Sequence, residues 1–419
     1  MATIANATFS VNGRTFSPPA RPVVVICLDG SADEYLDAAL ARGLMPHLQR
    51  IAVEGYRGMA RAAMPTFTNV NNTSIVTGVP PSVHGIGGNF FYDTASGQEV
   101  MMNSSSFLRC ETIFPAAQRA GRKVAVVTAK EKLRDIFASG LISLGGIAFS
   151  SEKASQAKRE THGIDEVEAL VGKTPPIYSG DASLYVLKAG VRLLEQGRAD
   201  FLYLSTTDFI QHKFAPEAAG ALEFYAGIDE QLGQLRSLGA VIGITADHGM
   251  NAKQKPDGSP NVIYLESECE KRWGGGFRVI LPITDPYVAH HGALGSFAVV
   301  HLPAQTTARR KFNILHFLNR LPGVTEVYGH NAAEKLELPA DRLGDIVVLA
   351  GRDVVLGRTP AYHDLKAIEG GLRSHGGRYE EMVPFLLSHP LKPAYARRAA
   401  GDPRNFDIFD FAANGTTAP

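Results

Sequence analysis

The sequence predicts an α/β fold: a mostly parallel central sheet flanked by helices, with a smaller α+β unit inserted. Three features predict it. Short runs of β-branched residues alternate with longer stretches of helical period, the pattern of strands joined by crossover helices. Three of the four clearest strand candidates run into Asp or His, at the carboxyl ends where open sheets of this kind bind ligands. After Asp247-His248-Gly249 the alternation breaks at Lys255-Pro256-Asp257-Gly258-Ser259-Pro260, a cluster of turn formers that opens a different arrangement.

In chain order, buried strands are expected at Val23 to Leu28, Val124 to Thr128, Phe201 to Ser205 and Val241 to Thr245. Between them, Met45 to Glu54, Glu111 to Ala120, Ser183 to Glu195 and Ala218 to Leu238 carry helical periodicity. Met64 to Asn72 reads as a loop leading into a short helix that ends at Thr77-Gly78, with the glycine as its cap. The insert reads as strand Gly295 to Leu302, helix Thr306 to Leu321, strand Val324 to Tyr328 and strand Ile346 to Ala350. Phe385 to Ser388 then returns the chain to the main sheet, before a last helix near Asp407 to Ala412. The expected division is a core of residues 1–254 and 370–419 and an inserted cap of residues 255–369.

With 419 residues, 45% of them hydrophobic and 20% charged, the chain can bury a sizeable core without disulfide staples. Lys plus Arg and Asp plus Glu both number 42, so no net field favours nucleic acid or an anionic membrane, and a small molecule is the expected partner. Cys27, Cys110 and Cys269 are odd in number and lack CxxC spacing, which speaks against a disulfide framework and against thiolate zinc; Cys27 sits in an apolar run and belongs to the core. The first twenty residues have neither the basic start nor the apolar segment of a secretion signal, and no stretch reaches membrane-spanning length. A cytoplasmic location is expected. The oligomeric state stays open, a homodimer included.

The chemistry-bearing residues follow the strands. Asp29 comes after the first, Asp208 and His212 after the third, Asp247 and His248 after the fourth. Taken singly, most have an ordinary explanation: Asp29 caps a helix or turn, Asp208 and His212 form an i,i+4 pair, and His375, in Ser374-His375-Gly376-Gly377, is an exposed loop residue. Asp247-His248-Gly249 says more, because two polar residues directly after a buried strand need partners and Gly249 permits a tight turn. Together, three aspartates and three histidines match two divalent ions with three protein ligands each and one open position. A nitrogen and oxygen set without thiolates favours zinc, with manganese the competitor. Two metals suit displacement at phosphorus, since they hold both the nucleophile and the non-bridging oxygens. Thr68, in the segment that leads into the short helix, offers a hydroxyl near a helix N-terminus that favours a phosphoryl group. A plain N-cap role explains the same residue, and Thr66 and Thr73 compete for the assignment.

Asp29, Pro65-x-x-Thr68-x-x-Asn71, Val76-Thr77-Gly78-x-x-Pro81-x-x-His84-Gly85-Ile86, Asp208-x-x-x-His212, Asp247-His248-Gly249 and a late His375-Gly376 occur in this order. The ordered set resembles the nucleotide pyrophosphatase/phosphodiesterase branch of the alkaline phosphatase superfamily, over residues 20 to 250 and 370 to 419. The resemblance implies an alkaline-phosphatase-like core with Asp208, His212 and His375 on one zinc, Asp29, Asp247 and His248 on the other, Thr68 bridging as nucleophile, and His84 in a structural role. Where the diesterases have Thr-Phe-Pro-Asn, this chain has Thr68-Asn69-Val70-Asn71, a change beside the nucleophile that puts nucleotide specificity in doubt. Within the branch, Thr68-Asn69, Gly87-Gly88-Asn89-Phe90 and Val127-Thr128-Ala129-Lys130-Glu131-Lys132 resemble the members that cleave the carbon–phosphorus bond of phosphonoacetate. What this implies is hydrolysis to acetate and phosphate through a phosphothreonine, with Asn89 on the phosphonyl oxygens and Lys130 and Lys132 on the substrate carboxylate. Apart from the resemblance, the two lysines read as a solvated charged turn. The rivals are a phosphodiesterase or nucleotide pyrophosphatase with the same metal site, and a non-catalytic zinc-dependent binding protein. His290 and His291 exceed the six ligands needed and read as lining the mouth of the site.

Overall fold

Seven strands build the central sheet: β1 (Val23–Cys27), β2 (Tyr56–Arg61), β3 (Val124–Thr128), β4 (Ile147–Ser150), β5 (Phe201–Ser205), β6 (Val241–Thr245) and β7 (Met382–Leu387). The computed structural model describes residues 7–285, 291–368 and 371–418. In space the order is β2-β7-β6-β1-β5-β3-β4. From β6 to β4 all neighbours pair in parallel, with Ile26 opposite both Ile244 and Leu204, whereas β7 runs antiparallel to β6 and to β2.

The apolar run of β1 is explained by burial on both faces. Val23, Val25 and Cys27 join one apolar cluster, with Phe201, Tyr203 and Phe409, while Val24 and Ile26 join another on the opposite face, with Tyr35, Val186 and Ile228. Side chains alternate across a strand, so a strand covered on both sides has no polar face to show. Each fully buried Val, Ile or Phe contributes roughly 1.5–3 kcal/mol. The helices Pro46–Glu54, Gly180–Glu195 and Ala219–Ser237 present Leu48, Ile51, Val186, Leu187, Ile228 and Leu232 to the second cluster.

All four expected central strands form where the sequence places them, and the helices agree to within a few residues. Gly180–Glu195 starts three residues before the expected Ser183 because the Ser179 side chain accepts from Ala182 N and caps it. The larger correction is at residues 64–72, read as a loop: helix α1 begins at Thr68 and runs to Thr77. Its Thr and Asn residues are poor helix formers in water, but every residue of α1 is buried, and Asn71, Asn72, Ser74 and Thr77 turn their side chains onto carbonyls within the segment. Gly78 caps it at φ 72°, as expected.

The edge strands β2 and β4 were not read from the sequence. Tyr56–Arg61 is only partly buried, and Ile147–Ser150 has four residues, too few to show a period. A second sheet of four antiparallel strands contains Phe297–His301, Ile346–Ala350 and Val324–Tyr328 as expected, with helix Ala308–Leu318. Its edge strand Arg278–Ile280 was missed. The return strand β7 starts at Met382, three residues before Phe385, and the last helical stretch runs from Asn405 to Gly415 in three short pieces. No helix among the described residues is long and apolar enough to cross a membrane.

Candidate metal centre

Because β1, β5 and β6 are parallel neighbours, their carboxyl ends lie side by side, and the backbone keeps pairing just beyond them: Leu28 N donates to Thr245 O (2.9 Å) and Thr206 N to Cys27 O (3.0 Å). Asp29, Asp208 and Asp247 follow immediately and are all buried. Asp208 precedes the short helix Phe209–Lys213, which turns His212 back so that its Nε2 lies 2.9 Å from Asp208 Oδ2. His375 arrives from far along the chain and is 2% exposed, so its reading as an exposed loop residue is overturned. Its loop is tied to the segment before α1: Thr66 Oγ1 accepts from Gly376 N (3.0 Å) and donates to Gly377 O (3.0 Å). Gly376 sits at φ 118°, and a Cβ there would meet the Phe67 ring at 2.5 Å, so only glycine fits.

Asp208, His212 and His375 bring ligand atoms within 4.8 Å of one another, and so do Asp29, Asp208 and His248. Asp208 therefore belongs to both groups. Asp247 stands beside the second, its Oδ2 3.6 Å from His248 Nε2, while its Oδ1 accepts from Gly30 N (3.1 Å) and His248 N (3.0 Å).

These residues fit a metal centre. Nδ1 of His212, His375 and His248 faces the carbonyl oxygen of Arg373 (2.7 Å), Thr66 (2.7 Å) and Gly249 (2.9 Å) respectively. A carbonyl only accepts, so each Nδ1 carries the proton and each Nε2 is aimed at the carboxylates as a donor atom, the arrangement typical of metal-ligating histidine. Among the described residues, neither oxygen of Asp29 accepts a hydrogen bond despite full burial. The electrostatics agree. Burial, then repulsion from Asp29, pushes the Asp247 carboxyl well up, whereas for Asp208 the effect of burial is outweighed by Lys130, His212 and His375, which hold it well down. Burial alone would lower His248, yet Asp247 and Asp29 push it up to about 9. The cluster is rich in buried carboxylate, which divalent cations would balance.

Thr68 opens α1 with its Oγ1 3.4 Å from His248 Nε2. It lines a narrow cavity of ≈ 20 Å³ together with Asn89, Lys130, Lys132, Asp208 and His375. Thr66 is engaged with the His375 loop, and Thr73 does not line this cavity. Asn89 is fixed from three sides: its N donates to Pro282 O (2.8 Å), its Nδ2 to Ile283 O (3.3 Å), and its Oδ1 accepts from Asn69 N (3.3 Å). The reading of the lysines as a solvated turn does not hold, since both side chains are only 17% exposed. Lys130 Nζ lies 3.3 Å from Asp208 and 3.6 Å from Asp29; burial alone would lower its pKa, but Asp208, Asp29 and Asp285 raise it instead. Lys132 forms an ion pair with Asp285, which offsets part of the lowering that burial imposes.

Ile283, Asp285 and His291 complete the lining. His291 accepts from Ala293 N at Nδ1 (3.1 Å) and faces the His212 ring at 5.5 Å between centroids. His290 lies outside the described residues. Asp285 was not foreseen, although it too follows a strand: the strand Arg278–Ile280 had gone unread.

A family model described as type I phosphodiesterase/nucleotide pyrophosphatase matches residues 23–377. The structure of phosphonoacetate hydrolase from Sinorhizobium meliloti 1021 in complex with phosphonoformate is 47% identical, covers 99% of each chain and superposes with a TM-score of 0.91; its complex with phosphonoacetate gives 46%, 99% and 0.91. Murine ectonucleotide pyrophosphatase/phosphodiesterase 5, in an inactive form with AMP, is 17% identical over 95% of this chain and 96% of that one, with a TM-score of 0.62, and shares the fold. A venom phosphodiesterase of Naja atra is 25% identical over 247 residues, 55% of this chain and 26% of that protein, so the chain spans about a quarter of its length. The α/β architecture is thus the alkaline-phosphatase-like one that the sequence led us to expect.

Proposed function

The chain belongs to the type I phosphodiesterase/nucleotide pyrophosphatase family, and from that premise we propose that it hydrolyses the carbon–phosphorus bond of phosphonoacetate, giving acetate and phosphate. The observation that carries the proposal is the narrow cavity in which Thr68, Asn89, Lys130 and Lys132 meet the buried Asp and His groups. Buried Asp and His groups at one end and two lysines at the other suit a compact anion with charge at both ends. The likeness to phosphonoacetate hydrolase over 99% of both chains supports the same reading.

In this proposal Asp208, His212 and His375 would hold one zinc ion and Asp29, Asp247 and His248 the other, with Thr68 as the nucleophile and manganese as the competing ion. When bound, the metals supply a lowered pKa for the Thr68 hydroxyl and for water, and charge neutralisation at the phosphonyl oxygens. Thr68 Oγ forms a bond to phosphorus as the bond to carbon breaks. The electron pair passes to carbon and delocalises into the carboxylate, where the ammonium groups of Lys130 and Lys132 face the developing charge. A proton, equal to the one Thr68 gives up, completes acetate, and Asn89 holds a phosphonyl oxygen. Water then displaces Thr68 from the phosphothreonine, releasing phosphate and restoring the hydroxyl. We assign the metals and the nucleophile to a core of residues 1–254 and 370–419, and the covering wall to residues 255–369.

Phosphate release from phosphonoacetate by zinc-loaded protein is the decisive measurement, with acid trapping of phosphothreonine at Thr68. Thr68→Ala should keep both metals and lose turnover, mainly in kcat. Cleavage of bis(p-nitrophenyl) phosphate with no release from phosphonoacetate would instead make it a diesterase. Zinc binding without turnover of either substrate would make it a binding protein.

A further inference from the structure

One turn after Thr68, helix α1 carries Asn72, which is fully buried and outside the cavity lining. Its side-chain amide makes four hydrogen bonds. Nδ2 donates to Thr68 O (3.2 Å) and to Asp247 Oδ2 (3.0 Å), while Oδ1 accepts from Tyr203 Oη (2.6 Å) and Ser205 Oγ (2.7 Å). A backbone carbonyl and a carboxylate only accept, so the NH₂ must face them; a flipped amide would set oxygen against oxygen. Tyr203 and Ser205 lie two residues apart on β5, hence on one face, and together they fix the other side of the amide. Asp247 Oδ1 is already taken by Gly30 N and His248 N. The Asn72 bond therefore decides where the remaining lone pair of Oδ2 points, and the same side chain holds the peptide of Thr68.

We infer that Asn72 is a positioning residue: it couples the Asp247 carboxylate to the helical turn that carries Thr68, so that ligand and nucleophile keep one spacing. This rests on the roles proposed above for Asp247 and Thr68. Tyr203 and Ser205 serve the same purpose from behind, by locking the amide.

The test uses the full chain. Asn72→Asp keeps the oxygen that receives the two hydroxyls but sets a second oxygen against Asp247 and Thr68 O; Asn72→Ala removes every contact. Zinc affinity is measured by competition with a chelator, kcat and KM on phosphonoacetate, and melting on protein without zinc. Both variants should bind zinc roughly 10–100-fold more weakly and lose kcat by a similar factor, with KM changed by less than about threefold. The double variant Tyr203→Phe/Ser205→Ala, which leaves Asn72 in place, should show a smaller loss of the same kind. Lower melting temperatures with zinc affinity and kcat at parental values would overturn the inference. Should the Asn72 variants fail to fold, the double variant decides, and unchanged zinc affinity and kcat there overturn it. A parent that binds zinc but releases no phosphate from phosphonoacetate defeats the proposed substrate, while the zinc competition still judges Asn72. A parent that binds no zinc defeats both.

Discussion

The two walls of the site are built by different means. On one side, Asp29, Asp208 and Asp247 leave strands that are hydrogen-bonded on both edges, and His212, His248 and His375 are each pinned through Nδ1 to a backbone carbonyl. On the other, Lys130 and Lys132 meet Asp208, Asp29 and Asp285, so charged side chains hold one another. The first wall fixes atoms through the main chain, which a metal centre needs. The second can trade one carboxylate for another, which suits a site that admits and releases an anion. The two walls meet at Asp29 and Asp208, which Lys130 also contacts.

The most damaging change should be at the residue both metal groups share. Asp208→Ala is expected to deplete the metal it would hold with His212 and His375, to weaken the neighbouring one, and to lower kcat/KM by more than roughly 100-fold, the upper range for residues that merely support a ligand. Metal analysis beside kinetics checks this, and full metal content with lost activity would mean that Asp208 acts through Lys130 and not as a ligand. Lys132→Ala comes next: kcat/KM for phosphonoacetate should fall by roughly 10²-fold if the ammonium faces the developing charge. A p-nitrophenyl phosphorus ester, whose leaving group is stable by itself, should lose far less, and the metals should stay. Equal losses on both substrates would place Lys132 in the fixed wall.

The smallest effect near neutral pH concerns His84, which braces α1 through Ser74 Oγ (2.8 Å). Burial lowers its pKa from 6.5 to about 3. Between those values the unfolded chain binds a proton that the folded chain refuses, so this contribution is complete above 6.5 and is lost as pH falls toward 3. The loss approaches about 1.4 kcal/mol per pH unit inside that window. His84→Gln should flatten the dependence of Tm on pH between about 6 and 4.5, and an unchanged slope would mean that His84 does not remain neutral in the fold.

How far the sequence could be read differs between the walls for a physical reason. The fixed wall follows strands whose apolar runs are long enough to recognise, so Asp29, Asp208 and Asp247 are legible in the sequence, as are the neighbouring His212 and His248. His375 was visible through a motif and not through its surroundings, because the Thr66 contacts that bury it cross most of the chain. Asp285 had no such signal: Arg278–Ile280 is three residues long and shows no period. The start of α1 was misplaced because propensity describes a helix in water, and here Asn and Thr bond within a dry segment. Asn72 escaped notice for the same reason, since its partners Tyr203 and Ser205 read only as part of an apolar strand.

The antiparallel strand β7 lies between β6 and β2, yet it is made long after both. A ribosome that has finished β6 has exposed a sheet with a gap, and the gap stays open until Met382–Leu387 emerges. His375 comes just ahead of that strand, so the group it completes is the last to assemble. A truncated translation product ending before Ser374 would carry unpaired strand edges and an incomplete metal group, and such edges invite pairing with other chains. The cell would meet that fragment as an aggregation hazard and a substrate for proteases, and not as a weaker version of the finished protein.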